Sequence, residues 1–442
     1  MQSTSFLSGA AFLKNEISYY GQIEEESFSG TSDYRVDIAA AQNYFYMNHR
    51  ERSQGNKLRI RTLEGKTSLD MQLTPFHELR AGFNYQRIRF HQETFDSLIV
   101  DEQFNTDRYP DTSIVRTVFR GLDVPNETIA ANSFKTAAYI EEIWQASDRL
   151  IFNIGGRVDY FDFNKDLNIS PRLSGSFRGP FGTTLRAAWG HYYQSPIYRQ
   201  FAYTTASDSN TQAQRATHYI LGAEHTLALN ANSNSTLKLK LEGFYKKYDE
   251  LISSTRTSDG RINYSRRNDA TGSASGMEVY AALNLPRFFG WVSYGLLYAK
   301  EDLRDDGKGA YPRYTDQRHT LALVADVDLG KRWSANARIF YGSGYAYTPF
   351  TARFNNNLQR WEWIAGEQNS AHLPAYKRVD ARVSRELKIW NLSALAFIDV
   401  SNLFNFDNVF GYNYSFTNTG LPKVEPEELF PIVPTLGVTL RF

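Results

Sequence analysis

Pro431-Ile-Val-Pro-Thr-Leu-Gly-Val-Thr-Leu-Arg-Phe442 closes the chain. Phe442, Leu440, Val438 and Leu436 share one face of an extended backbone; Arg441, Thr439 and Gly437 share the other. This period-two alternation marks a strand with one apolar and one polar side. A soluble domain usually ends in polar, frayed residues. A closed transmembrane barrel needs a pairing strand there, because lipid tolerates no open sheet edge. An ordinary C-terminal edge strand would show the same twelve residues, so the rest of the chain decides.

The 442 residues could form two or three ordinary domains or one large barrel. They include no Cys, which removes disulfides, thiolate metal sites and a cysteine nucleophile. Lys plus Arg total 49 against 48 Asp plus Glu, so no basic excess points to a nucleic-acid partner. Mean hydropathy is −0.48, and no apolar run approaches the roughly 18–20 residues of a spanning helix. A helical membrane protein is excluded; a β-barrel, which gives only alternate residues to lipid, is not. Aromatics at 15% favour strands and could furnish interfacial girdles. The first ten residues have no basic region followed by an apolar core, so no signal peptide is read there.

The alternation recurs along the chain. A first strand is expected from Ala10 to about Glu26, then a loop from Ser27 to Asn56. Leu58 to Leu73 turns at Thr74-Pro75-Phe76-His77 into Glu78 to Phe90, where Leu79, Ala81, Phe83 and Tyr85 alternate with Glu78, Arg80, Gly82 and Asn84. A long polar segment, His91 to Ala131, shows no clear period and reads as a second loop. Further hairpins turn at residues 146–148, 179–182, 230–234, 286–287 and 330–331, and a last one joins Lys377–Leu387 to Asn391–Val400. Roughly sixteen strands result, with short turns at one end and long loops at the other. That arrangement predicts an all-β fold, a transmembrane antiparallel β-barrel occupying residues 1–442 in a bacterial outer membrane. Lys238, Lys240, Glu242, Asp326, Asp328, Arg338, Asp380 and Arg382 lie opposite the apolar stripes and predict a polar lumen.

Several local patterns accompany the strands in order: Ile169-Ser170-Pro171-Arg172-Leu173, then Glu242-Gly243-Phe244-Tyr245, Asp316-Gln317-Arg318-His319, Gly342-Ser343-Gly344-Tyr345 and Asn402-Leu403-Phe404-Asn405. With the terminal Phe442, they resemble the β-barrel of TonB-dependent outer-membrane receptors, in particular those whose precursors begin with a carboxypeptidase-regulatory-like domain. The resemblance implies a barrel of about 22 strands, so this chain would hold its C-terminal part, without plug domain and signal peptide. It implies uptake of a scarce ligand (an iron chelate, cobalamin, a glycan or a peptide), with coupling to the TonB complex through the missing plug. It also implies contact with outer-membrane lipid and recognition of Phe442 by the barrel-assembly machinery. The alternatives are a passive porin-like channel and a surface or adhesin barrel.

No enzyme is expected. The eight His are scattered without a metal-ligand spacing, no nucleophile elbow is present, and neither catalytic residues, metal site nor cofactor is assigned. Ligand contacts are expected from the outer loops and upper lumen, where aromatics neighbour Arg or Glu: Tyr192, Tyr193 and Arg199 on one rim, and Tyr345, Tyr347, Trp361 and Trp363 on another. An interfacial girdle would use the same residue types.

Overall fold

Alternating apolar and polar residues, broken by two-residue turns, leave the backbone one economical solution: an up-and-down antiparallel meander. The computed structural model has that form. It describes residues 2–8, 10–37, 44–106, 114–120, 127–197, 200, 211–230, 235–256, 262–356, 360–389, 392–417 and 419–441. The main sheet has nineteen strands, of which Ile114–Arg120 and Tyr311–Pro312 merely flank the loop ends. The other seventeen follow chain order: β1 Gln2–Ser8, β2 Ala11–Asp37, β3 Tyr44–Thr74, β4 His77–Thr106, β5 Glu127–Ser147, β6 Leu150–Phe161, β7 Asp166–Arg178, β8 Thr183–Gln194, β9 Gln214–Ala228, β10 Thr236–Leu251, β11 Ala270–Leu285, β12 Phe288–Leu303, β13 His319–Gly330, β14 Trp333–Gly342, β15 Tyr376–Ile389, β16 Leu392–Ser401 and β17 Val433–Arg441. Each pairs with its sequence neighbours throughout.

Three expectations change. A strand precedes the one expected to be first: Gln2–Ser8 pairs with the beginning of β2. The segments expected as loops at 27–56 and 91–131 are largely strand, since β2 pairs with β3 out to Asp37↔Phe45 and β3 with β4 out to Tyr44↔Thr106. These extensions mix polar and apolar residues without a regular period, and side-chain contacts such as Gln92 Nε2 to Asn56 Oδ1 (3.0 Å) and Arg52 with buried Asp96 (3.5 Å) support the ladder. The 31 residues of β3 cover roughly 100 Å at about 3.3 Å per residue, several times what a membrane strand needs. The long loop before β15 is also partly ordered as a hairpin, Phe350–Asn355 with Arg360–Ala365.

The two faces of the sheet differ as expected. Outward residues are apolar and exposed: Ile17, Ile23, Leu167, Ile169, Leu221, Leu241, Leu436 and Val438 are each at least half or nearly half uncovered. Aromatic rings bracket this band. On β5, Trp144 stacks with His77 (6.1 Å) and leans on Phe152 (5.6 Å) near the turns, while Phe134 meets Tyr85 (5.9 Å) and Tyr160 (5.8 Å) near the loops. The ten-residue step from Trp144 to Phe134 spans about 33 Å along the strand, or about 25 Å across a membrane at the usual strand tilt. Inward residues are polar: Glu64 accepts hydrogen bonds from Asn84 Nδ2 (2.7 Å) and Gln86 Nε2 (2.8 Å), and Glu224 meets Lys238 Nζ (2.8 Å) and Arg186 (3.1 Å). No helix among the described residues is long and apolar enough to cross a membrane.

The first and last strands do not pair with each other among the described residues. With seventeen strands in an antiparallel meander, the first and the last run in the same direction.

Placing a cation in the middle of the outward band tests this division. Leu241→Arg is expected to lower the unfolding free energy in lipid vesicles by about 2–4 kcal/mol. Glu242→Gln, one residue along and facing the lumen, is expected to stay within about 0.5 kcal/mol. Denaturant titration of the folded protein measures both.

Candidate ligand cavity at the loop end

Three long connections meet above β12 to β17: residues 304–318, 343–375 and 402–432. Their arrangement begins with polar staples. Asp316, almost wholly buried, accepts the Ala299 amide N–H (2.7 Å) and pairs with Arg318 Nε (2.9 Å). Gln317 Nε2 donates to the Ser343 carbonyl (2.9 Å), and the His319 amide donates to Ser343 Oγ (3.0 Å). The first loop is thereby tied to strands on both sides. Gly344 is obligatory there: a Cβ would overlap the Leu373 carbonyl. Asn402, at φ 51°, caps the last loop through the Phe406 amide (3.0 Å), and its own N–H donates to Asp380 Oδ1 (2.9 Å). Asn408 Oδ1 and Nδ2 hold both backbone groups of Lys377. Three of the motifs that carry the family resemblance, at 316–319, 342–345 and 402–405, are therefore fasteners of the loop end.

Two hairpins stand on these fasteners. Phe350–Asn355 with Arg360–Ala365 packs on Val409–Phe416 with Pro422–Glu428. Trp363 lies between them, its ring 5.0 Å from Tyr414 and 6.1 Å from Phe416, its indole N–H donating to the Ser415 carbonyl (3.2 Å). Phe350 meets Tyr414 at 5.1 Å, and Tyr347 meets Tyr412 at 5.6 Å. Asn369 Nδ2 reaches the Pro312 carbonyl (2.9 Å) and brings in the remaining loop.

Between these parts lies a cavity of about 1200 Å³, lined by Tyr311, Tyr314, Tyr345, Tyr347, Phe350, Phe410, Tyr412 and Tyr414. Glu367, Glu427 and Lys308 are its charged groups among the described residues. Burial raises the Tyr347 hydroxyl above its ordinary range, with Tyr414 and Tyr412 adding to the shift. Tyr311 is raised further, by burial first and then by Glu301 and Asp306. Both phenols thus stay protonated and can donate as well as accept at neutral pH. Ring faces with neutral hydroxyls suit a ligand that stacks and hydrogen-bonds, and the volume exceeds that of a drug-sized pocket.

The expected contact residues divide. Tyr345 and Tyr347 line the cavity. Trp361 and Trp363 do not; Trp361 packs edge-on against Phe354 (5.5 Å), and Trp363 is used in holding the hairpins together. Tyr192 and Tyr193, adjacent on β8, face opposite ways. Tyr192 looks into the lumen, stacked on His218 (4.4 Å) beneath the Arg172 guanidinium (4.5 Å). Tyr193 faces outward beside Arg215, its register partner. Arg199 and Phe442 lie outside the described residues. Sequence reading passed over Phe410, Tyr412, Tyr414 and Tyr311. The period-two run Val409-Phe410-Gly411-Tyr412-Asn413-Tyr414-Ser415-Phe416 was the signal for the first three. No cluster of three metal-ligating side chains occurs among the described residues.

The model of the TonB-dependent receptor-like β-barrel family matches residues 6–417. No curated protein matches. Among solved structures, FpvA of Pseudomonas aeruginosa, crystallised with a heterologous pyoverdine–iron complex, is 13% identical with a TM-score of 0.60, covering 99% of this chain and 55% of FpvA. The ferric enterobactin receptor PfeA of Pseudomonas aeruginosa is 12% identical with a TM-score of 0.53, covering 99% and 76%. The outer membrane transporter YddB of Escherichia coli is 11% identical with a TM-score of 0.50, covering 99% and 74%. The chain spans about half the length of FpvA, and at these identities the likeness is one of fold.

Removing the Asp316 carboxylate would leave the Ala299 amide and Arg318 without their partner. Asp316→Ala is expected to cost about 1–3 kcal/mol locally. Limited proteolysis should then cut at 304–318 and 343–375 well before the strands.

Proposed function

Because the chain belongs to the TonB-dependent receptor-like β-barrel family, an outer-membrane family, we propose that it forms part of a receptor that takes up a scarce ligand across the outer membrane. The observation that carries the reading is the tyrosine-lined cavity, held at the long-loop end of β12 to β17, where Asn336 Nδ2 donates to Asp326 on the inner face of β13 and β14 (2.9 Å). Ligand captured there would pass to the lumen. In this reading the complete receptor adds further strands, which would pair with β1 and β17, and a plug through which the TonB complex drives release. Phe442 would serve the barrel-assembly machinery. Neither a passive pore nor an adhesin has an observation in its favour, and no enzymatic step is proposed.

The lining narrows the ligand. Eight aromatic rings face two carboxylates and one ammonium, so a polyanionic chelate would meet too little positive charge to offset its desolvation. A neutral or weakly cationic ligand with ring or pyranose faces fits better, and within the expected set this favours a glycan or peptide.

Uptake assays in a strain carrying the complete receptor test the reading. Tyr347→Ala and Tyr414→Ala are each expected to lower ligand affinity about tenfold or more, by loss of a stacked, hydrogen-bonding ring. Tyr193→Ala, which faces outward, is expected to leave affinity unchanged. Since burial holds the Tyr311 and Tyr347 phenols above their ordinary range, ionisation of these two should not lower affinity between about pH 7 and 9. Uptake unaffected by both cavity variants would refute the assignment.

A further inference from the structure

The outward face of β3 and β4 changes character abruptly. Along β4 it reads Leu79, Ala81, Phe83, Tyr85 and then Arg87, Arg89, His91; along β3, from the turn, it reads Met71, Leu69, Thr67, Gly65, Leu63 and then Arg61, Arg59. Register aligns these positions. Leu63 lies opposite Arg87, Arg61 opposite Arg89, and Arg59 opposite His91. Phe134 on β5 lies opposite Arg87. That ring belongs to the Tyr85–Phe134–Tyr160 girdle, so Arg87 sits level with the loop-side edge of the apolar band. Arg61 and Arg89 sit one row beyond it, about 7 Å further along the strands.

All four arginines are exposed. Directly opposed side chains have Cβ atoms about 5 Å apart, so the Arg61–Arg89 pair repels unless an anion lies between. Glu93 pairs with His91 (2.8 Å), and Arg59 feels its charge, while Glu25 is held by Lys57 (2.9 Å). No described carboxylate lies within ion-pair distance of Arg61, Arg87 or Arg89. Other outward cations near the loop end are matched: Arg215 (2.9 Å) and Lys247 (3.1 Å) share Asp249. On β3 and β4 three unmatched guanidiniums adjoin one another in the register.

We propose that Arg61, Arg87 and Arg89 form a binding site for the phosphate groups of an acidic lipid in the outer leaflet. The depth decides the occupant: the apolar band ends at Phe134, and headgroup phosphates begin where it ends. Guanidiniums suit the chemistry, since each can offer two parallel N–H donors to one phosphate. The acyl chains would lie on Phe83, Leu63 and Ile17, all exposed on the same outward face just below the arginines. Such a lipid would bridge β3 and β4 where the two strands leave the membrane and begin their long projections.

The test uses the receptor extracted from outer membranes and placed in phosphatidylcholine nanodiscs containing a minority of diphosphorylated lipid A. Lipid retained through repeated exchange into pure phosphatidylcholine is counted by native mass spectrometry. The wild-type protein should retain lipid A, and Arg61→Gln/Arg89→Gln should weaken retention about tenfold or more. Lys240→Gln, in the lumen, should not. A second arm needs no variant: dephosphorylated lipid A should not be retained by the wild-type protein. Equal retention of the two lipids, or of lipid A by the double variant, would overturn the proposal. So would full displacement by millimolar inorganic phosphate, which would mark a simple anion site without a lipid bed.

Discussion

Backbone hydrogen bonding in a solvent without water is the constraint on which the rest depends. Every amide in the membrane must find a partner within the protein, and an unsatisfied one costs several kcal/mol. The uninterrupted ladder from β1 to β17 meets that demand, and side-chain alternation follows from it, because a strand offers its two faces to two different surroundings. Exposed Leu241 and its lumen-facing neighbour Glu242 are then equally at home, one toward lipid and one toward water.

The loop end obeys a different economy. Outside the membrane, water can satisfy the backbone, so order has to be made by specific contacts. Asp316, Asn402 and Asn408 make it by placing side-chain acceptors and donors against backbone groups of neighbouring segments. They fix where the hairpins stand, and the hairpins fix the cavity. The fastening residues and the cavity lining are therefore largely different residues joined through packing, with Tyr345 at the seam of the two, and Trp363 holds Tyr414 in place without lining the cavity itself.

How much of this was legible in the sequence depended on whether a residue's two neighbours met different solvents. Within the membrane they do, and the hairpins, their turns and the polar lumen at Lys238, Lys240 and Asp326 could be read directly. Beyond the girdle polar and apolar residues mix without a regular period, and residues 27–56 and 91–131 read as loops although β2, β3 and β4 pair through much of them. The unmatched arginines lie at that boundary and need the β3–β4 register to be seen as a group. The cavity was half legible: Tyr345 and Tyr347 stood out as aromatics at a rim, whereas Tyr412 and Tyr414 showed only as alternation inside a presumed loop. Tyr192 and Tyr193 show the opposite limit, since adjacency in sequence places them on opposite faces.

A cysteine-free chain makes the decisive measurement clean. Single cysteines introduced in turn at Leu237, Lys238, Leu239, Lys240, Leu241 and Glu242, spin-labelled and examined in lipid vesicles, report which solvent each position meets. The account requires strict alternation: 237, 239 and 241 accessible to oxygen dissolved in lipid, and 238, 240 and 242 accessible to a water-soluble nickel chelate. Both sets equally accessible to the chelate, or an alternation of the opposite phase, would contradict a sheet whose outward face is bathed in lipid and whose inner face lines a polar lumen.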